Sequence, residues 1–308
     1  MTAYSNQIPY SHQSIDDSDI RAVERVLRSP YLTAGPVAGE FEEAVCARVE
    51  ARHAVAVCNC TAALHLAMMA LGVGPEDEVW VSAVSFVASA NCARYQGARV
   101  EFLDVEPHSG NLDVEALAAR LAEAERVGRL PRVIVAVHLS GRPVELLRLQ
   151  ELRVRYGFRL IEDAAHALGS VYHGLPVGSC TYSDITVFSF HPVKIITCGE
   201  GGMGLTNDDE LARKIRLLSS HGIERDADTT AEFPDGRQFV SDSLEQEVDL
   251  QFFRTALHDL GVLARDDSHR DILAMGEQYA CAVVRMESLP LVARLVVIHS
   301  SVGPNAVD

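Results

Sequence analysis

The sequence predicts an α/β protein with a central, mainly parallel sheet and helices on both faces. Short apolar runs alternate with helical patterns from residue 54 to about residue 220. Most of these runs are rich in Val and Ile and nearly continuous in apolarity, as strands buried on both faces are. Repeated strand–helix units with right-handed crossovers give an open sheet, and such sheets bind ligands at the carboxyl ends of their strands.

Apolar runs and helix caps divide this region into separate elements. Strands are predicted at 53–59, 77–83, 98–105, 132–139, 158–164 and 184–190. Helices are predicted at 61–73, 87–97, 113–128, 144–157 and 208–222. Several of these helices start at an Asp or Thr cap, and most run into a glycine, as helix boundaries often do.

The chain divides into three predicted regions. Residues 1–52 form an N-terminal arm, with one amphipathic helix in SIDDSDIRAVERVLRS and a second helix in GEFEEAVCARVEARH. Residues 53–223 form the large α/β domain. Residues 224–308 begin with a polar, charged stretch and continue with weak helical patterns, so we expect an atypical, reduced C-terminal region there.

Composition argues against several classes of function. The chain has 27 Lys and Arg against 43 Asp and Glu, a formal net charge of -16, and no long basic run, which argues against nucleic-acid binding. Its first residues lack a basic region followed by an apolar core, and no window approaches the ~20 apolar residues that span a bilayer. We therefore expect a cytoplasmic protein without a membrane partner.

The seven cysteines are odd in number and lie mostly within apolar runs. This pattern suits buried free thiols in a reducing compartment better than a disulfide framework. Cys58 and Cys60 are close together, but no second pair follows at the spacing of zinc ligands. We therefore expect core thiols here and no metal site.

The stretch FSFHPVKIITCGEGG places one lysine, Lys194, among apolar and small residues. Most lysines are solvated surface residues. A lysine enclosed by apolar neighbours loses several kcal/mol of hydration unless it is paired, neutralised or covalently used. Such a lysine has a lowered pKa, can form an imine with a carbonyl compound, and can then transfer a proton. We expect Lys194 to be enclosed and to act in this way.

Asp163 and His166 lie in IEDAAHALGS, just past a predicted buried strand. A carboxylate at a strand end can simply cap the following helix. It can also pair with the protonated ring nitrogen of pyridoxal 5'-phosphate (PLP) and make that ring an electron sink. Lys194 follows one strand later, so the order of these residues fits a cofactor bound between adjacent strand ends.

A phosphate group needs hydrogen-bond donors, and NCTAALHLA offers them. Thr61 and Ala62 lie at a predicted helix start directly after a strand, where backbone N–H groups and the helix dipole favour an anion. Thr61 can equally be an ordinary N-cap, and the two roles are compatible. Ser189 could add a hydroxyl. Phe86 could stack on a heteroaromatic ring, although a single aromatic residue is more often part of a core.

Six stretches together resemble the DegT/StrS family of PLP-dependent nucleotide-sugar aminotransferases. They are NCTAALHLA, SAVSFVASAN, VHLSG, EDAAHALGS, FSFHPVKIITCGEGG and SSHGI. The resemblance covers roughly residues 8–223. Within the family, the chain is most similar to enzymes that aminate a UDP-linked 4-keto-6-deoxy-hexosamine on the way to pseudaminic acid. It implies a fold type I transferase with 53–223 as the PLP-binding domain, and a homodimer with the active site at the subunit interface.

The resemblance also implies a role for each matching residue. Lys194 matches the lysine that binds PLP covalently, Asp163 the partner of the pyridine nitrogen, and His166 the neighbour of the phenolic oxygen. The remaining implied PLP contacts are the phosphate ligands Thr61, Ala62 and Ser189 and the stacking aromatic Phe86. The implied substrate contacts are Thr33 and Gly35 in LTAGP and His138 in VHLSG.

The implied activity is transfer of an amino group from an amino acid, with L-glutamate expected, to a keto group of a nucleotide-linked deoxy sugar. Beyond residue 223 the resemblance fades, because an Asn-Tyr-Arg motif typical of the family has no complete match in LQFFRTALHDLGVLA. One alternative is therefore a non-catalytic PLP-binding or regulatory homologue with a disrupted C-terminus. Another is a different fold type I reaction on an amino acid, such as β-elimination.

Overall fold

The central feature of the fold is a seven-stranded sheet. The computed structural model describes residues 11–33 and 35–222. The strands in chain order are β1 (His53–Val57), β2 (Glu78–Ser82), β3 (Arg99–Leu103), β4 (Val133–Val137), β5 (Arg159–Asp163), β6 (Val171–Tyr172), β7 (Leu175–Pro176), β8 (Ile185–Ser189) and β9 (Gly202–Thr206). Strands β6 and β7 form a separate two-stranded hairpin. All six predicted strands are confirmed.

The strand order in the large sheet is β1-β9-β8-β5-β4-β2-β3. The pairs β2–β3, β2–β4, β4–β5 and β5–β8 are parallel, whereas β9 runs antiparallel to both β1 and β8. The predicted fold class, an α/β protein with a mainly parallel sheet, is therefore confirmed. Because β5 and β8 are parallel neighbours, the chain leaves the sheet after Asp163 and after Ser189 at the same edge.

Helices flank this sheet. Those in the described residues are α1 (Asp17–Leu27), α2 (Pro36–Val49), α3 (Cys60–Ala70), α4 (Ala88–Tyr95), α5 (Val114–Arg126), α6 (Leu146–Tyr156) and α7 (Asp209–Ser219). Each predicted helix corresponds to one of them, with ends that differ by a few residues. A 3-10 turn, Leu139–Gly141, follows β4. Among the described helices, none is long and apolar enough to cross a membrane.

Successive residues of the central strands pack into two different cores, which places helices on both faces of the sheet. Val79 and Val81 of β2 belong to the core formed with α3, α4 and α7. Trp80 lies between them in sequence and packs with α5 and α6 on the other face. Successive side chains of a strand point to opposite faces, so a strand covered on both sides must be apolar throughout.

Strand β9, with the sequence GMGLT, is not among the predicted strands, and its first residue, Gly202, ends the stretch that predicts a small-residue turn after Lys194. A Cβ atom on Gly202 would lie only 2.3 Å from the carbonyl carbon of Asn59 and 2.5 Å from the backbone nitrogen of Cys60. The strand therefore needs glycine where it crosses the start of α3. This requirement is tertiary, and strand propensity does not reveal it.

The two N-terminal helices differ in how they pack. Helix α2 buries Val45 and Val49 in a core shared with β8 and β9. Helix α1 has a capping box between Asp16 and Asp19 but no buried residue. The predicted boundaries at 52 and 223 stay predictions, and the predicted C-terminal region, 224–308, lies outside the described residues.

Candidate active site

A cavity of about 570 Å³ opens at the carboxyl edge of the sheet, where the loops after β1, β2, β4, β5 and β8 converge. Six of the predicted site residues line it. They are Thr61, Phe86, Asp163, His166, Ser189 and Lys194. The structure therefore brings together residues that are separated by more than one hundred positions in sequence. This is the arrangement that the strand order predicts for ligand sites in open α/β sheets.

Asp163 is the most enclosed charged group of the cavity, with 4% of its surface exposed. Ser89 Oγ donates a hydrogen bond of 2.6 Å to Asp163 Oδ2, and the backbone N–H of Ala165 donates one of 3.2 Å to Oδ1. In the described chain no helix follows β5 directly, so the interpretation of Asp163 as a helix cap is wrong. Its carboxylate is instead fixed in orientation at the cavity wall.

His166 is fixed through one of its ring nitrogens. The backbone N–H of Ser140 donates a hydrogen bond of 3.3 Å to His166 Nδ1. Burial lowers the pKa of His166, and the nearby charge of Lys194 lowers it further, while the carboxylate of Asp163 opposes both effects. At neutral pH the ring is therefore uncharged, with Nδ1 as acceptor and Nε2 as the protonated nitrogen.

Lys194 lies in the loop between β8 and β9, and its backbone N–H donates to the carbonyl oxygen of His191. The side chain is only partly buried. The expectation that apolar neighbours enclose it is wrong for the described chain, because Val193 is 40%, Ile195 60% and Ile196 46% exposed. Val193 lines the cavity beside Lys194, whereas Ile195 and Ile196 do not line it.

The start of α3 forms another wall of the cavity. Helix α3 begins at Cys60, and Asn59 caps it by accepting a hydrogen bond of 2.8 Å from the backbone N–H of Ala62. Ala62 is not among the residues that line the cavity, and its role as a phosphate ligand stays a prediction. The helix starts one residue earlier than predicted, and Cys60 lines the cavity together with the predicted Thr61. No acidic residue occupies the first turn.

The predicted substrate residues lie elsewhere. His138 is fully buried, and both of its ring nitrogens have hydrogen-bond partners inside the protein, so its predicted direct contact with substrate is wrong for this structure. It follows β4 in sequence, as predicted, but its side chain turns into the core. Thr33 and Gly35 precede α2 and do not line the cavity. Their contact with substrate stays a prediction.

Sequence reasoning missed Ser89, Cys60, His191 and Glu200. Ser89 lies in the first turn of α4 among small residues, where a serine has no distinguishing pattern, and only the fold places it against Asp163. Cys60 lines the cavity, and burial raises its pKa well above the ordinary value, so the thiol stays protonated. His191 and Glu200 line the cavity from the loop that carries Lys194.

A second cavity, of about 470 Å³, lies at the amino edge of the sheet, opposite the first. Four arginines line it, namely Arg99, Arg129, Arg132 and Arg159. Arg129 pairs with the buried carboxylate of Glu78 at 3.0 Å, and Arg132 donates to the carbonyl oxygen of Leu71 at the end of α3. Helix C-termini carry partial negative charge, so these arginines serve the internal structure of this edge.

Comparison with known proteins gives a consistent result. The model of the DegT/DnrJ/EryC1/StrS aminotransferase family matches residues 13–235. A Campylobacter jejuni protein named UDP-4-amino-4,6-dideoxy-N-acetyl-beta-L-altrosamine transaminase is 45% identical over 217 residues, which cover 70% of this chain and 56% of the relative. The chain thus spans about half the length of this curated relative.

Solved structures similar to this chain include aminotransferases. Helicobacter pylori PseC, an aminotransferase involved in the biosynthesis of pseudaminic acid, superposes with a TM-score of 0.67 at 33% identity, covering 77% of this chain and 60% of PseC. A sugar-aminotransferase-like protein from Streptococcus pneumoniae, solved in its PLP form, gives a TM-score of 0.62 at 30% identity, covering 70% of this chain and 58% of that one.

Proposed function

The chain belongs to the DegT/DnrJ/EryC1/StrS aminotransferase family, and on that premise we propose that it is a PLP-dependent sugar aminotransferase. It transfers an amino group from an amino acid, L-glutamate, to a keto group of a nucleotide-linked deoxy sugar. The substrate that the named relative supports best is the UDP-linked 4-keto sugar of the altrosamine series, in pseudaminic acid biosynthesis. The protein acts in the cytoplasm, in the supply of sugars for cell-surface polysaccharides or secondary metabolites.

One observation carries this proposal. An amine, a buried carboxylate and a neutral imidazole, from Lys194, Asp163 and His166, face one cavity from the ends of two adjacent parallel strands. These groups suit a reaction that binds a carbonyl carbon covalently to an amine, stabilises negative charge close by, and transfers a proton.

The residues present fit PLP. The cavity of about 570 Å³ is of the size that small-molecule and cofactor sites have. A phosphate group suits the start of α3, because the first turn there carries no acidic residue and Thr61 adds a hydroxyl. Phe86 is 71% exposed at the cavity mouth, so its ring is not packed in the core and is available for stacking.

When bound, PLP supplies an aldehyde carbon that takes up the amino group and a protonated ring that takes up negative charge. Lys194 Nζ would hold the aldehyde carbon, and the same amine would move a proton at the carbon being aminated or deaminated. Asp163 keeps the ring nitrogen protonated, since its carboxylate is buried and fixed by Ser89. His166 Nε2–H would donate a hydrogen bond into the cavity, and the hydroxyls of Thr61 and Ser189 would bind phosphate oxygens.

A homodimer is part of the proposal. Ile195 and Ile196 form an exposed apolar group beside the cavity, in the loop that carries Lys194, and helix α1 exposes Ile20 and Leu27. Exposed apolar patches of this kind usually mark interaction sites. A second copy of the chain would cover the apolar group beside the cavity and reduce access of water to Lys194. Sedimentation of the purified protein at micromolar concentration should give the dimer mass, and the monomer mass alone would contradict this part.

The first experiment is the visible absorption spectrum of the purified chain with PLP, before and after addition of L-glutamate. We expect a violet-absorbing species that bleaches with L-glutamate, because the amino group passes to the cofactor. The matched control is Lys194→Ala, which should show only free PLP. If the wild-type chain binds PLP but does not bleach with any amino acid tested, the aminotransferase proposal fails.

The second experiment tests the sugar. The bleached protein is separated from L-glutamate and mixed with UDP-linked 4-keto-6-deoxy-hexosamine, and mass spectrometry detects the aminated sugar nucleotide. Return of the violet absorbance with formation of this product supports the proposal. The comparisons give no support to the non-catalytic alternative, and an absence of turnover with every nucleotide-linked keto sugar would favour it. Release of pyruvate and ammonia from an added amino acid with a leaving group at its β-carbon, such as L-serine, would instead indicate β-elimination.

A further inference from the structure

The turn after β4 holds a strained residue against the candidate active site. Ser140 has a φ of 54°, in the left-handed region that residues other than glycine rarely adopt. In this conformation its N–H donates to His166 Nδ1 at 3.3 Å. The next residue is Gly141, where a Cβ would lie 2.7 Å from the carbonyl oxygen of His166. Such a conformation persists only where the surrounding structure enforces it.

One part of that enforcement is a buried pair, His138 and Glu162. The backbone N–H of Val144 donates to His138 Nδ1 at 3.2 Å, so Nδ1 is unprotonated and Nε2 carries the proton. Nε2 then donates to Glu162 Oε2 at 2.7 Å, and the hydroxyl of Thr186 donates to Glu162 Oε1 at 3.2 Å. The His138 and Glu162 side chains are 0% and 2% exposed. His138 thus connects both ends of the turn to the neighbouring strand β5.

The other part is the side chain of Asn111, which is also buried. Its Oδ1 accepts a hydrogen bond of 3.0 Å from the backbone N–H of Leu139. Its Nδ2 donates to the carbonyl oxygens of Arg142, at 3.0 Å, and Pro143, at 3.2 Å. The turn is therefore fixed on both sides of Ser140 by buried polar groups, none of which lines the cavity.

We propose that His138, together with Glu162 and Asn111, is a positioning residue that keeps the N–H of Ser140 against His166 Nδ1. In this arrangement His166 stays neutral and keeps its proton on Nε2, because Nδ1 is occupied as an acceptor. The charged groups that face His166 are Lys194, from the loop after β8, and Asp163, at the end of β5. The catalytic consequence, a constant hydrogen-bond donor inside the cavity, rests on the proposed function.

The test is nuclear magnetic resonance of the full chain with ¹⁵N-labelled histidine rings, followed as a function of pH without cofactor. The signals of His166 are identified by their loss in His166→Gln. In the wild-type chain we expect Nε2 protonated and Nδ1 unprotonated at neutral pH. In Glu162→Leu, which removes the acceptor of His138, we expect the pKa of His166 to rise by about half a unit or more. We also expect the Nδ1–H tautomer to become detectable.

Two further variants separate positioning from general stability. Glu162→Gln keeps an oxygen acceptor for His138 and should leave the His166 signals as in the wild type. Asp209→Leu removes the carboxylate of an exposed pair, His53–Asp209, with the same 2.7 Å distance, and should also leave them unchanged. If PLP is bound, Glu162→Leu should slow the bleaching by L-glutamate roughly tenfold, and Glu162→Gln should restore it.

Near-ultraviolet circular dichroism decides whether Glu162→Leu is folded. If it is not, Asn111→Ala loosens the same turn without removing a buried charge, and the same change at His166 is expected. Unchanged His166 signals in either folded variant would overturn the proposal, and so would an Nδ1–H tautomer in the wild-type chain. Because these signals are measured without PLP, a wild type that fails to bleach would defeat the proposed function and leave this test standing.

Discussion

The polar groups at the two edges of the sheet have different partners. At the amino edge, guanidinium and carboxylate groups satisfy one another, as when Arg153 and Arg159 both donate to Asp184. At the carboxyl edge, Lys194 and Phe86 face a cavity, and apolar side chains beside it are exposed. Groups that are satisfied internally stabilise the fold. Groups that are held in place but left facing a cavity are available for a ligand.

This difference is useful because both edges contain a cavity and charged residues. Charge and cavity volume alone would not separate them. The two edges differ in the partners of their polar groups. At the amino edge the described ion pairs link helix ends to strand starts. At the carboxyl edge the buried polar contacts, such as Ser89 to Asp163, orient a group that lines the cavity. Substitutions at the two edges should therefore change different properties.

The largest effect is expected for Lys194→Ala. Loss of the amine removes both the covalent anchor and the group that moves the proton, so the transamination rate should fall on the order of 10³-fold or more. The rate of amination is measured under single-turnover conditions. The matched control is Lys214→Ala, which removes one of the partners of Glu210 on α7 and should leave the rate unchanged. Full activity of Lys194→Ala would refute the assignment.

The next effect is expected for Ser89→Ala. Ser89 is fully buried and donates to a carboxylate, and such a hydrogen bond contributes about 1.5–3 kcal/mol. We expect a loss of roughly tenfold in kcat, because Asp163 is then less well oriented, with a smaller change in KM. Ser89→Thr keeps the hydroxyl and should retain most of the activity. Equal losses in both variants would indicate that packing matters here rather than the hydrogen bond.

At the amino edge, Glu78→Gln should lower stability without lowering kcat. Burial alone would raise the pKa of Glu78, but hydrogen bonds from Trp80 and Arg129 and the charges of Arg129 and Arg99 lower it overall. The ionised carboxylate therefore stabilises the fold, and its loss should cost about 1–2 kcal/mol at pH 7. Urea denaturation measures the loss. A fall in kcat with unchanged stability would contradict the assignment of a structural role to the amino edge.

The same variant has a defined pH dependence. A carboxyl group whose pKa is lowered on folding contributes its stability above its unfolded pKa, which is about 4.3. The contribution is lost as the pH falls through the folded pKa, when both states become protonated. The difference in unfolding free energy between Glu78→Gln and wild type should thus be constant from pH 6 to 7 and shrink below about pH 4.3. An unchanged difference at acid pH would contradict the ion pairs as its cause.

The smallest effect is expected for Ser140→Gly, which keeps the N–H but relieves the left-handed strain. We expect the free energy of unfolding to change by less than about 1 kcal/mol, because relief of strain is offset by the greater freedom of glycine in the unfolded chain. Ser140→Ala, which keeps both the strain and the N–H, is the matched control. A large loss of stability in Ser140→Gly would mean that the Ser140 side chain, rather than its backbone, holds the turn.

The sequence by itself determined the six predicted strands, the helices between them and the central residues of the candidate site. These features are local, because a strand buried on both faces must be apolar throughout, and Lys194, Asp163 and His166 stand in short, specific stretches. Their convergence was also predictable, since ligands in such sheets bind at the carboxyl ends of strands. The enclosure of Lys194 was predicted wrongly, because Ile195 and Ile196 beside it are exposed in the described chain.

Only the tertiary structure decided how each side chain is used. Ser89 and Asp163 are 74 positions apart in sequence, and only the packing of α4 against the sheet makes them partners. His138 was predicted to contact substrate, but its ring lies in the core, where it donates a hydrogen bond to Glu162 on the adjacent strand. Gly202 reads as part of a turn until the start of α3 crosses it. Hydrogen bonding and close contact depend on distances in space, which periodicity along the chain does not contain.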